Sequence, residues 1–155
     1  MSGAKLTAGG TSVETLRDIL KDNRIDSEIT SSVVLNVKVG QKIEYPLWVT
    51  MYHGNEGPVD LYATAYIDMD ATNEKKDAFV WDLNKLGLLP YFAWDQIRLD
   101  GYGHDTLYGS YGIPTSGGID AEKFVSIVLR LPIEFSSIKQ HDPDGLVTLG
   151  DIGPL

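Results

Sequence analysis

Hydrophobic residues recur along this chain with two different periods. Val13, Leu16, Ile19 and Leu20 fall at helical spacing, the stripe of a short amphipathic helix. Thr11 with Glu14 three residues on makes a capping box at its start. Asn23 supplies a residue that tolerates the left-handed conformation at its end, so the predicted helix spans 11–23. From residue 33 the period changes to two. Val33, Leu35, Val37 and Val39 alternate with other residues, as do Ile43, Tyr45, Leu47, Val49 and Met51 and then Val59, Leu61, Ala63, Ala65, Ile67 and Met69. Gly40-Gln41 and the 53–58 segment supply turns between these strands. The odd positions Val125 to Phe135 form the longest such pattern, and Pro46 and Pro132 mark edges or bulges.

The aromatic-rich stretch 78–99 predicts two strands flanking a bend at 86–90. The Gly- and Tyr-rich stretch 101–118 predicts a long loop, and residues 1–10 a flexible arm. Strands at this spacing, joined by Gly, Pro and Asn turns, predict an all-β, mainly antiparallel domain over 11–155. Its form would be a β-sandwich or flattened barrel carrying one short N-terminal helix.

The hairpin 42–69 has two apolar sides. Ile43, Leu47, Val49 and Met51 meet Val59, Leu61, Ala63, Ala65 and Ile67 on one face. The other carries Trp48, Thr50 and Tyr52 against Asp60, Tyr62, Thr64 and Tyr66. Directly opposed residues of an antiparallel pair share a face, so even register sums of 110 or 112 keep both sets together. Three large rings at Trp48, Tyr62 and Tyr66 make a surface that something must cover. Residues 78–99 could serve, or a partner could.

Composition narrows the function. With 13 Lys and Arg against 22 Asp and Glu, the net charge is −9 over 155 residues. That excludes binding to nucleic acid through phosphate neutralisation. No apolar run is long enough for a membrane span. The absence of cysteine removes disulfides, thiolate nucleophiles and thiolate-held metals. The first ten residues have no signal-peptide core, which favours an intracellular location.

Candidate chemistry is sparse. No Gly-x-Ser-x-Gly elbow, phosphate loop or paired-histidine motif occurs. His104 and Asp105 sit in the Gly/Tyr stretch and admit a general base in a small β-barrel enzyme. Tyr102, Tyr108 and Tyr111 with the same glycines suit a sugar platform, as in a lectin-like carbohydrate-binding sandwich. Asp142, Asp144, Gly145 and Asp151 match four positions of a twelve-residue calcium loop, although Gln140 stands at its first position. An Asp-Pro-Asp-Gly turn accounts for the same letters. Apart from that possible calcium no cofactor is expected. The sequence therefore describes a non-catalytic binding or assembly module. It self-associates as a homo-oligomer or docks a protein partner through the Trp48/Tyr62/Tyr66 face, the Gly/Tyr segment, or both. A carbohydrate binder and a His104 enzyme are the alternatives.

Overall fold

The computed structural model describes residues 5–6, 12–39, 47–54, 57–96, 105–115 and 118–149. Its centre is an open, antiparallel seven-stranded sheet. The strands are β2 (Glu28–Ser31), β3 (Val34–Val39), β4 (Leu47–His53), β5 (Val59–Ile67), β6 (Tyr91–Asp95), β7 (Asp105–Ile113) and β9 (Val147–Thr148). They lie in the order β2-β3-β4-β5-β7-β6. β7 pairs with all of β5, from Val59↔Ile113 to Ile67↔Asp105. β4 holds the opposite edge from His53↔Val59 to Val49↔Ala63, and β9 continues beside Tyr66 and Ile67. A separate two-stranded ladder joins β1 (Lys5–Leu6) to β8 (Ile119–Asp120), so two residues of the predicted arm are paired.

Three helices, α1 (Val13–Asp22), α2 (Asn73–Asn84) and α3 (Ala121–Ser136), complete the domain. All contribute to one core with the odd-numbered positions of β3, β4, β5 and β7: Leu35, Val37, Val49, Met51, Leu61, Ala65 and Leu107 are fully buried beneath them. The antiparallel hairpin has the expected parity, with a register sum of 112. The described residues, however, contain one open sheet under helices where a second facing sheet was expected. The 40–46 turn and Pro46 lie outside the described residues.

α1 starts at Ser12, whose Oγ accepts the Thr15 amide at 3.2 Å. It ends in a Schellman turn: Ile25 N–H donates to Leu20 O and Arg24 N–H to Lys21 O, each at 2.9 Å. The left-handed residue is Arg24, with φ 61°, one position beyond the expected Asn23. Asn23 instead donates its side-chain amide to Ile19 O at 2.8 Å.

Three expectations need correction. Residues 78–99 do not make two strands: α2 runs to Asn84, and β6 is the one strand among their described residues. The core-facing stripe of α2 is Lys76, Phe79, Val80 and Leu83, and a lysine at its first place hides the helical spacing. The segment 125–135 is not a strand. Ala121, Phe124, Ile127, Val128, Leu131, Pro132 and Phe135 are the buried residues of α3, whereas Leu129 and Ile133, which completed the odd-position pattern, are exposed. Asp120 caps this helix by accepting the Lys123 amide at 3.1 Å. Finally, 105–113 is not loop but strand β7, inserted between β5 and β6.

Its glycines answer to packing. A Cβ on Gly109 would stand 2.5 Å from Phe135 Cδ2 and 3.1 Å from Pro90 Cβ. The Phe135 ring needs this space to lie on the sheet, stacked on Phe92 at 5.8 Å between centroids. Such ring pairs are worth about 0.5–1.5 kcal/mol beyond the area they bury. Gly109→Ala is therefore expected to destabilise the domain by about 1–3 kcal/mol through overpacking. Urea unfolding measures the loss, and Phe135→Leu in the same chain should recover part of it, because the two sites are in contact.

Candidate functional site

The even positions of β3, β4, β5 and β7 and the odd positions of β6 project to the side opposite the helices. The register sets them in rows: Val34, Tyr52, Asp60 and Gly112; then Asn36, Thr50, Tyr62, Ser110 and Tyr91. In the next, Thr64, Tyr108 and Ala93 lie across β5, β7 and β6, and beyond it Tyr66, Thr106 and Asp95. Tyr62, Tyr66 and Tyr108 are half-buried, while Tyr52 and Tyr91 are 47% and 67% exposed. Trp48 falls on this face through its pairing with Lys38; its side chain lies outside the description. Helix α2 lies across the sheet from this face and β6 extends it, so the described part of 78–99 does not cover the rings.

Two phenols and two carboxylates give the face its electrostatics. Burial raises the Tyr62 pKa above 10.0, and the Asp60 charge raises it further. Tyr108 is raised by burial and then by Asp95, against a smaller lowering from a hydrogen bond with Thr106. Asp60 leans across to β7: a Cβ on Gly112 would meet its Oδ1 at 3.2 Å. Ser110 Oγ donates to Tyr91 O at 3.4 Å.

The remaining predicted residues are elsewhere. Asp105 belongs to the helix side, where its Oδ2 accepts from Lys76 Nζ at 2.6 Å with side-chain exposures of 3% and 2%. Lys76 Nζ also sits 4.3 Å from the Trp94 ring centroid, and Trp94 Nε1 donates to Asp77 Oδ1 at 2.7 Å. This buried cluster fastens the start of α2 to β7 and β6. Tyr111, also odd, packs against the core and lines a cleft of about 380 Å³ with Ile113, Phe124 and Ile127. Tyr102, His104 and Asp151 lie outside the described residues.

Asp142 is buried and its oxygens are engaged. Oδ1 accepts the Leu146 amide at 2.8 Å, and Oδ2 accepts the Val147 amide at 2.9 Å and Lys139 Nζ at 3.2 Å. Asp144 pairs with Lys75 at 3.3 Å. The geometry is that of a turn, with Gly145 at φ 66°, and a cation there would compete with two ammonium groups. Among the described residues, no three His, Cys, Asp or Glu side chains gather as a metal site. No helix among them is long and apolar enough to cross a membrane.

The edge strand β6 is guarded. Asn84 accepts the Phe92 amide at 2.8 Å and donates to Phe92 O at 2.9 Å, so its carboxamide stands where another strand would pair. The chain thus offers the face of its sheet at this end and closes the edge.

What the fold and face define is a one-layer antiparallel sheet with helices on one side and a tyrosine-rich surface on the other. This arrangement is similar to that of YbjN from E. coli, "a putative transcription regulator", with a TM-score of 0.70 and 14% identity over 93% of this chain and 99% of that one. An uncharacterized protein from Methanothermobacter thermautotrophicus follows at TM-score 0.55 and 12% identity, over 86% of this chain and 97% of that one. At such identities the likeness is one of fold. No family model and no curated protein matches the sequence.

Two outcomes test the geometry. Removing one partner of the buried pair strands the other charge, so Lys76→Met is expected to cost about 3–5 kcal/mol. Adding Asp105→Asn to it should return part of that loss in the same unfolding assay. For Tyr62 and Tyr108 the folded-state pKa is raised, so the folded chain binds more protons than the unfolded one from about pH 10 upward. Their contribution is therefore complete below that pH and falls as pH rises through the folded values. Phenolate absorbance should show these two tyrosines ionising above pH 10.0, and Tyr62→Phe should flatten the alkaline loss of stability.

Proposed function

We propose that this chain is a non-catalytic binding and assembly module that docks a protein segment through the sheet face bearing Tyr52, Tyr62, Tyr66, Tyr91 and Tyr108. The observation that carries this reading is the register, which gathers these rings on the side away from all three helices. Tyrosine combines large apolar area with a polar tip and two side-chain torsions, which makes it effective at contact surfaces. The net charge of −9 keeps such a surface soluble and speaks against a nucleic-acid partner. A second copy of the chain and a foreign protein are both occupants of this kind. The carbohydrate alternative draws on the same rings, which suit the C–H faces of sugars.

A photo-crosslinking residue placed at Tyr91, with Gln140 on the far side of the domain as control, tests the reading in the extract where the protein is made. Protein adducts at position 91 and none at 140 are expected. Sedimentation of the purified chain at tens of micromolar then separates self-association from a foreign partner. Absence of adducts at 91 together with a strictly monomeric mass would overturn the proposal. A free glycan whose binding is abolished by Tyr91→Ala would transfer the face to the carbohydrate reading.

A further inference from the structure

Within the tyrosine face, one spot is built unlike the rest. Tyr62 and Tyr91 both lie opposite Ser110, on its two sides, so their Cα atoms are two strand spacings apart, roughly 9–10 Å. Tyr108 is two residues along β7 from Ser110 on the same face, about 7 Å away. On the other side of Ser110 is Gly112, with no side chain, and over it leans the Asp60 carboxylate. Tyr62 and Tyr91 with the Asp60 carboxylate thus flank a floor of Ser110 and Gly112, while the Tyr108 phenol, farther along β7, is engaged with Thr106 and Asp95. The register leaves one strand, β7, between the two ring-bearing positions, so a flat group can enter over Ser110 with a ring to either side.

Among the described residues, the charges that strands β5, β6 and β7 place on this face have one sign. Strands β5, β6 and β7 contain Asp60, Asp95 and Asp105 and no Lys or Arg. Asp105 is spent on Lys76 on the opposite side, leaving Asp60 and Asp95 on the tyrosine side. Lys38 is the cationic residue that the register assigns to this face, and it stands on β3, with β4 between it and β5. Aromatic faces attract cations through their quadrupoles, and a guanidinium both stacks on rings and pairs with carboxylates.

We propose that the Tyr62/Tyr91 cage with Asp60 is the pocket for an arginine side chain of a basic partner segment. This rests on the docking reading above and gives its ligand a chemistry. The guanidinium enters between Tyr62 and Tyr91, stacks on their rings and donates to Asp60, while Asp95 attracts a neighbouring basic residue. The −9 charge of the chain draws such a segment in and repels acidic ones.

The test titrates the full chain with a capped peptide of alternating Arg and Gly, beside Lys-Gly and Glu-Gly counterparts, by calorimetry and amide NMR. The Arg-Gly peptide is expected to bind most tightly and to shift the Ser110 and Gly112 amides. Tyr91→Ala should weaken it about threefold, as an exposed cation–π contact does, and Asp60→Asn about tenfold, as loss of a charged hydrogen bond does. Tyr91 is 67% exposed, so its removal spares the fold. No binding, or binding that neither substitution weakens, overturns the cage, because the latter is attraction of any polycation to an acidic chain. Crosslinks at position 91 with a silent Arg-Gly peptide reject the arginine pocket and leave the docking face standing.

Discussion

Alternation along the strands governs this molecule. Each residue of an extended chain faces opposite to its neighbours, so a strand that commits its odd side to a core has its even side fixed as well. On β5 the odd residues Val59 to Ile67 are all fully buried, and the helices have nowhere else to dock. Helices and sheet together make a two-layer unit, and the second sheet face carries the tyrosines together with Asn36, Thr50, Thr64 and Thr106, which are buried. On β7, Asp105 turns into the helix layer to meet Lys76 while its neighbour Thr106 belongs to the other side. A single-residue slip would bring the tyrosines into the core and expose the aliphatic set.

That parity was legible because the alternation through 47–53 and 59–67 is the one the described register keeps, and it places Tyr62 and Tyr66 on their face before any coordinates. The helices were hidden by particular residues. Lys76 takes a core-facing place that spacing rules reserve for apolar residues, and it can do so because Asp105 and Trp94 neutralise and cover it. In α3 the apolar Leu129 and Ile133 face solvent and complete a false period of two across a helix. Pro132, read as the mark of an edge or bulge, is buried within α3. Strand β7 was obscured by glycines whose reasons are tertiary: Gly109 makes way for Phe135, and Gly112 lies under Asp60. Neither reason is visible in local sequence. With β7 unread as a strand, the meeting of Tyr108, Tyr91 and Tyr62 had no visible basis either, although each was present as a letter.

The likeness to YbjN at 14% identity fits this division. A helix-covered sheet demands apolar residues on one parity and makes few demands on the other, so chains can share the scaffold while differing over the open face. Function on such a scaffold has to be argued from the side chains that the scaffold leaves unconstrained.

Those side chains here are tyrosine, serine, threonine and aspartate in place of leucine or phenylalanine, and the difference has physical consequences. A leucine face of this extent would drive nonspecific association in water. Tyrosine offers comparable area but keeps a hydroxyl that water can solvate, and it gives up little side-chain entropy on contact. Asp60 and Asp95 add repulsion between like copies, which weakens indiscriminate self-pairing face to face, and Asn84 closes the adjoining sheet edge at Phe92. Together these features select against the easy partners, another face or another edge, and leave the surface suited to a ligand that brings positive charge and flat apolar area at once.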